Sequence, residues 1–161
     1  MNLQSNIFDN WDDARSIIND WKRNGETIVF TNGCFDLLHA GHIHYLREAS
    51  SLGQKLIIGL NSDRSVKELK GNSRPINKQY DRAFILIALE MIDLVLIFDQ
   101  DNPLKLIKFI MPDILVKGGD WQIDDIIGAK EVVENKGTVK SLKYIDGYST
   151  SALIDKLTNE N

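Results

Sequence analysis

The sequence predicts a doubly wound α/β fold, a three-layer sandwich around a mostly parallel sheet. Two observations support this fold class. Short apolar runs, such as those at 55–60 and 94–98, alternate along the chain with stretches of helical periodicity. The runs also lack the alternating polar positions of a strand with one wet face, so helices should cover both faces of the sheet. Ligands of such sheets bind at the carboxyl ends of the strands, where the strand order reverses.

Each element has a local signal. Asp9 is a good N-cap for a first helix, whose apolar residues recur at helical spacing until Gly25. The later elements follow from apolar periodicity and from turn and capping residues. They are a strand at 27–31, a helix reaching Gly53, a strand at 55–60, a short helix at 64–69, a polar loop at 71–77, a helix from an Asn77 cap through Glu90, a strand at 94–98, a helix begun by Asn102 and Pro103, a strand at 113–116, a helix at 124–135, a strand at 138–142 and a capped helix at 149–157.

The chain reads as one domain over 1–161, with an N-terminal helix at 1–25 and a core at 26–161, because no repeat or linker divides it. The apolar stripe of the first helix (Trp11, Ala14, Ile18 and Trp21) is either core or a subunit contact.

Composition excludes several classes of protein. A formal net charge of -4 argues against a protein that covers the phosphates of nucleic acid. The apolar stretch at 83–98 contains Glu90 and Asp93, so no membrane span is expected. The single cysteine, Cys34, cannot form an intramolecular disulfide, and the N-terminus lacks the regions of a signal peptide. A cytoplasmic location is the expectation.

The segment TNGCFDLLHAGH at 31–42 concentrates the residues suited to chemistry. It contains neither a dinucleotide fingerprint nor a P-loop. Instead His39 and His42 enter a helix directly after a strand, three residues apart, so both imidazoles can face one ligand. The unpaired N–H groups of a first helical turn favour an anion, and Gly41 would let a phosphate approach the backbone. Fixed donors of this kind stabilise the charge of a phosphoryl transition state.

This segment resembles the signature of the HxGH nucleotidyltransferases, the cytidylyltransferase-like superfamily with its Rossmann-like fold. HxGH preceded by GxFD after the first strand is a specific pattern. Across 26–157 the chain is similar to the adenylyltransferase domain of the ADP-heptose synthases, with SDRSVKELKGNSRPIN, PDILVKGGDW and DGYSTS in the expected order.

The resemblance implies transfer of AMP from ATP, with Mg²⁺, to a sugar 1-phosphate, here D-glycero-β-D-manno-heptose 1-phosphate. It also implies a homodimer, and no covalent enzyme intermediate. His39, His42 and Lys117 would be catalytic. The nucleotide would contact these three residues and Gly33, Cys34, Phe35, Gly41, Gly118, Asp120, Ser149, Thr150 and Ser151. The acceptor would contact Asp36, Asp63, Lys67, Lys70, Arg74 and Arg82.

Several of these residues also have an ordinary structural interpretation. The two histidines could be caps or surface residues, and Asp36 a turn residue. Lys67, Lys70 and Arg74 could form a solvated face. Lys117 to Asp120 could be a strand-end turn, and Trp121 could stack on a ligand or pack. A positive charge early in a helix opposes the helix dipole, so Arg82 should have a partner elsewhere. Cys34 reads as a small hydrophobe rather than a nucleophile, and His44, on another helix face, as structural.

Two other functions remain open from the sequence. One is cytidylyl transfer to glycerol 3-phosphate or a similar phosphorylated alcohol. The enzymes of that type carry an arginine before their GIST segment, and the matching stretch at 144–147 has none. The other is a nucleotide-binding module that has lost catalysis. The presence of both histidines, Lys117 and the serine-threonine cap opposes that interpretation.

Overall fold

The computed structural model describes residues 6–143, 147–150 and 153–154. Within these residues, the strands are β1 (Ile7–Phe8), β2 (Ile28–Gly33), β3 (Lys55–Asn61), β4 (Leu94–Phe98), β5 (Ile114–Gly118) and β6 (Thr138–Leu142). The α-helices are α1 (Arg15–Arg23), α2 (Ala40–Ser50), α3 (Asp63–Lys70), α4 (Gln79–Ile87), α5 (Leu104–Ile110) and α6 (Ala129–Glu134), and short 3₁₀ turns lie at Trp11–Ala14 and Ile123–Asp125.

All strand pairs in the described sheet are parallel, in the order β1-β4-β3-β2-β5-β6. The chain builds outward from β2 to one side through β3 and β4, and then crosses to the other side to add β5 and β6. The strand order therefore reverses between β2 and β5. This crevice is where a doubly wound sheet binds its ligand, as the sequence predicts.

Two apolar layers sandwich the sheet, because successive strand residues point to opposite faces. In β3, Ile57 packs on one side, while Leu56, Ile58 and Leu60 pack on the other. The first layer is closed by α1, α5 and α6, and the second by α2 and α4. The described helices are all too short or too polar to cross a membrane.

The first helix belongs to the core rather than to an unpaired surface. Ala14 and Ile18 are buried, and Trp11 and Trp21 pack against the first layer. The indole N–H of Trp11 also donates a hydrogen bond to the carbonyl of Ile97, at 2.8 Å. These contacts show that the apolar stripe of the first helix packs in the core of the chain.

Three local predictions are corrected, and one strand was missed. Strand β1 was not predicted, because two residues are too few for a periodic signal. Asp9 does not cap the first helix; it accepts from the backbone N–H of Asn10, and a 3₁₀ turn comes first. Asn77 is not the cap of α4, which begins after Lys78 and ends at Ile87. The helix predicted at 124–135 is broken, because Gly128 adopts a φ of +87° between the 3₁₀ turn and α6.

Other boundaries agree more closely. Both β2 and β5 run two residues further than predicted. The polar segment at 71–77 is a loop, begun by Gly71 at a φ of +97°. The N–H of Leu104 donates to the Asn102 side chain at the start of α5. The last predicted helix, at 149–157, falls largely outside the described residues, although the N–H of Leu153 bonds the carbonyl of Ser149.

Candidate functional site

A cavity of about 720 Å³ opens at the carboxyl ends of β2 and β5. It gathers residues that lie far apart in the sequence, and most of the predicted site residues line it. These are Gly33, Cys34, Phe35, Asp36, His39, His42, Lys70, Arg74, Lys117, Ser149 and Thr150. A smaller cavity of about 470 Å³, beside the first 3₁₀ turn, contains none of them.

Six other predicted residues do not line the large cavity: Gly41, Asp63, Lys67, Arg82, Gly118 and Asp120. Ser151 lies outside the described residues. His44 is exposed on α2 and is not part of the lining either.

The two motif histidines form one unit at the start of α2. Their rings stack with centroids 3.8 Å apart and planes 20° from parallel. His39 is the N-cap of the helix, and its Nδ1 accepts from the backbone N–H of His42 at 3.3 Å. His39 therefore both caps the helix and lines the cavity. Three-residue spacing brings both imidazoles to one place, as predicted.

Burial sets the protonation of this pair. Desolvation, with a smaller contribution from His39, lowers the pKa of His42 to about 4. Desolvation also lowers the pKa of His39 from its ordinary value. Nδ1 of His42 is buried without a hydrogen-bond partner among the described residues. At neutral pH the free site therefore presents neutral imidazoles, each with one N–H to donate.

The backbone before α2 is tightly shaped. Phe35 has a φ of +44°, in the left-handed region. Its buried ring packs edge to face with the His42 ring, with the two centroids 5.5 Å apart. A Cβ at Gly41 would lie 2.8 Å from Cβ of Tyr148 and 3.1 Å from Nδ1 of His39. Gly41 is thus required by its neighbours in the fold, and it does not line the cavity as a phosphate approach would suggest.

Asp36 fastens the loop at 71–77 to this segment. Its side chain is only 1% exposed and pairs with Nε of Arg74 at 2.5 Å. Its carboxylate also accepts from the backbone N–H groups of Ile76 and Asn77, at 2.8 to 2.9 Å. Burial alone would raise the pKa of Asp36, but these backbone bonds and Arg74 outweigh burial and lower it.

Arg82 has the separate partner that its position in the helix predicts. Its buried guanidinium donates to the carbonyl of Cys34 at 2.6 Å, to the carbonyl of Asn77 at 2.9 Å and to Asp63 at 2.8 Å. This one side chain therefore joins the motif segment, the loop and α3. Asp63 and Arg82 are thus paired with each other, and neither lines the cavity.

Lys117 and Cys34 face the cavity from β5 and from the end of β2. Burial lowers the pKa of Lys117 from its ordinary value, and the nearby Cys34 offsets part of that effect. Burial raises the pKa of the Cys34 thiol, which keeps it protonated and un-nucleophilic. The assignment of no catalytic role to Cys34 agrees with this environment.

Sequence reasoning missed part of the cavity wall. Asn61, Asn102, Ile127 and Tyr148 also line it. Asn61 carried a usable signal, a polar residue ending an apolar strand. Tyr148 lies within the DGYSTS segment and its ring is near that of His39, with centroids 6.1 Å apart.

Trp121 and Thr150 complete the rim of the cavity. The indole N–H of Trp121 donates to the carbonyl of Gly118 at 3.0 Å, which fixes the ring while leaving 49% of the residue exposed. Trp121 therefore packs and lines the cavity at once. The hydroxyl of Thr150 donates to the carbonyl of Leu37 at 3.3 Å, so the segment at 147–150 is held against the histidine loop.

Ligands for a metal ion are sparse in the cavity. No cluster of three or more His, Cys, Asp or Glu residues occurs within the described ranges. Two carboxylates line the wall, and Asp36 is occupied by its protein partners, which leaves Asp101. A divalent cation with mostly phosphate and water ligands fits this arrangement, whereas a protein cage does not.

A family model described as cytidylyltransferase-like matches residues 30–156. A bifunctional protein HldE from Campylobacter fetus is 56% identical over 135 residues, which is 84% of this chain and 29% of that protein. A bifunctional protein HldE from Wolinella succinogenes is 49% identical over 146 residues, or 91% of this chain and 30% of that protein. The chain thus spans about 30% of the length of these relatives.

Solved structures share the fold. A lipopolysaccharide core biosynthesis protein from Thermoplasma volcanium superposes with a TM-score of 0.62 at 28% identity, covering 78% of this chain and 100% of that one. A pantoate-β-alanine ligase from Francisella tularensis superposes with a TM-score of 0.59 at 13% identity, covering 96% and 76%. The second likeness concerns the fold alone.

Proposed function

This chain belongs to the cytidylyltransferase-like family, and from that premise we propose that it transfers AMP from ATP to a sugar 1-phosphate, D-glycero-β-D-manno-heptose 1-phosphate, giving ADP-heptose and pyrophosphate. The observation that carries the proposal is the stacked pair of neutral imidazoles in the crevice between β2 and β5, with Lys117 lining the same cavity. An acceptor phosphate oxygen attacks the α-phosphorus, and the bond from that phosphorus to the oxygen bridging to the β-phosphate breaks.

His39 and His42 are proposed to donate hydrogen bonds to phosphate oxygens of the nucleotide. Each neutral imidazole carries one N–H, and negative charge on the bound phosphates would favour a second proton on the ring. His42 is the more buried of the two, and its ring centroid lies 5.5 Å from that of Phe35. We assign His42 to the phosphate where charge develops, because a preorganised donor in a desolvated site acts most strongly there.

Lys117 is proposed to neutralise the triphosphate from β5. Ser149, Thr150 and Ser151 are proposed to contact phosphate at the start of the helix that the sequence predicts at 149–157. Gly33, Cys34 and Phe35 would supply backbone contacts beside them. Mg²⁺ would be carried by the triphosphate, with Asp101 as the carboxylate at the cavity wall. The ion would supply positive charge against the phosphate oxygens.

The acceptor phosphate is proposed to bind Lys70 and Arg74, the two cations of the 67–82 region that line the cavity. Lys67 and Arg82 stay predictions, to be tested in the same series of glutamine variants. Neutralising a residue that holds only the acceptor should raise the KM for acceptor with little change in ATP affinity. An unchanged KM in all four variants would leave these cations without a role in acceptor binding.

The experiment that tests the function is pyrophosphate release, with a panel of nucleoside triphosphates against heptose 1-phosphate, glycerol 3-phosphate and other phosphorylated acceptors. ATP with a sugar 1-phosphate should give the highest kcat/KM. If CTP gives the higher value with every acceptor, the heptose assignment is wrong. No pyrophosphate with any pair would instead support an idle nucleotide-binding module. The homodimer and the cytoplasmic location remain predictions, and sedimentation analysis would test the first.

A further inference from the structure

The loop at 71–77 is held to the nucleotide motif by one carboxylate. Asp36 takes four hydrogen bonds from three residues of this loop, two from the N–H of Ile76, one from the N–H of Asn77 and one from Nε of Arg74. The amide of Asn77 returns a fifth bond to the carbonyl of Asp36 at 3.0 Å. A buried carboxylate with this many donors is fixed in one orientation.

Arg74 is bound to Asp36 through one edge only. Its Nε donates to the carboxylate, while the structure shows no hydrogen-bond partner for Nη1 or Nη2 among the described residues. The side chain is 14% exposed and lines the cavity. A guanidinium held this way retains a pair of donors suited to a phosphate, which it can bind through two parallel bonds.

We propose that Asp36 is a positioning residue, which acts by orienting Arg74 so that the two terminal nitrogens of its guanidinium form a fork for the phosphate of the acceptor. The inference rests on the proposed function. Asp36 itself does not touch the substrate, because its oxygens already accept from the loop. The same carboxylate belongs to the motif that precedes His39, so acceptor and nucleotide would be placed from one segment.

If Asp36 had a purely structural role, it would hold the loop without affecting how Arg74 binds phosphate. A double-mutant cycle distinguishes this structural role from the proposed positioning role. The variants are Asp36→Asn, Arg74→Gln and the pair, assayed by pyrophosphate release with ATP and heptose 1-phosphate. Arg74→Gln should raise the KM for acceptor about 10–100-fold, the range for losing charge-assisted bonds to phosphate. Asp36→Asn should raise it about tenfold, and the double variant should match Arg74→Gln alone. ATP affinity should change less than about threefold throughout.

Arg64→Gln is the matched control. Arg64 also pairs with an aspartate, Asp99, but it is exposed on α3 and does not line the large cavity. Its KM for acceptor should equal that of the wild type. If the effects of Asp36→Asn and Arg74→Gln multiply in the double variant, the two residues act independently and the inference is overturned. If the wild type itself uses no phosphorylated acceptor, the proposed function fails first, so the two failures are distinguishable.

Should Asp36→Asn not fold, two measurements still decide. Arg74→Lys keeps the charge but loses the fork, so its KM for acceptor should stay close to that of Arg74→Gln. A wild-type KM in Arg74→Lys would overturn the inference. In the wild type without acceptor, the N–H groups of Ile76 and Asn77 should exchange with solvent at least about 100-fold more slowly than free chain, because Asp36 already holds them. Unprotected exchange there would overturn it as well.

Discussion

Replacing His42 by alanine tests the central assignment of the site. The variant loses a ring whose centroid lies 3.8 Å from that of His39, in a stacked arrangement, and 5.5 Å from that of Phe35. Ring pairs of this kind are worth about 0.5–1.5 kcal/mol each, so the free energy of unfolding should fall by about 1–3 kcal/mol. For a chain of this size, that corresponds to a decrease in Tm of about 2–4 °C per kcal/mol. The protein should therefore remain folded at assay temperature.

The loss of activity should be much larger than the loss of stability. Removing one preorganised donor from the developing charge typically costs about 10²–10³ in kcat, or ~2.7–4 kcal/mol of transition-state stabilisation. ATP affinity should fall by less than about tenfold, because the donor strengthens mainly between the ground state and the transition state. The measurements are kcat for pyrophosphate release and the Kd for ATP by titration calorimetry.

His44→Ala is the control, since His44 lies on the same helix but is exposed and outside the cavity. It should keep wild-type kcat. If His42→Ala retained wild-type kcat while His44→Ala were inactive, both the helix-face argument and the motif assignment would have to be abandoned.

Three further predictions concern pH, the motif glycine and the first helix. The pKa of His42, about 4, lies below the ordinary 6.5, so the unfolded chain binds more protons between these values. The free energy of unfolding should therefore rise with pH between about 4 and 6.5 and level off above that range, as denaturant titrations would show. If the free energy of unfolding of His42→Gln rose with pH at the same slope, the prediction would be contradicted. Gly41→Ala places a Cβ 2.8 Å from Cβ of Tyr148, so kcat should drop at least about tenfold because His39, the helix cap, is displaced. A crystal structure of the variant with the rings of His39 and His42 in their wild-type positions would refute this explanation. Trp11→Phe loses the bond to the carbonyl of Ile97 and should lower the Tm by about 2–4 °C, the equivalent of ~1 kcal/mol, with kcat unchanged; an unaltered Tm by calorimetry would show that the bond contributes nothing.

Local signals predicted the architecture well because a buried parallel strand must be apolar on both faces. The runs at 94–98 and 138–142 match β4 and β6 residue for residue. The family suggested by the motif is confirmed. Predictions failed where an element is very short, as in β1, or where a glycine conformation breaks a helical pattern, as at Gly128. Hydrophobic periodicity does not reveal that the two residues of β1 pair with the distant strand β4, and it does not reveal the positive φ of Gly128.

Within the site, the sequence by itself predicted that the two histidines would lie together, because residues three apart at the start of a helix are neighbours. It also placed the site at the carboxyl edge of the sheet. Only the tertiary structure decided which cations reach the cavity. Arg74 bonds Asp36 across 38 residues of sequence, and Arg82 bonds the carbonyl of Cys34 across 48. Arg74 lines the cavity, whereas Arg82 does not and is engaged by protein partners. Such choices depend on how α4 and its preceding loop meet the residues that follow β2, and no local pattern encodes a contact between residues so distant in the chain.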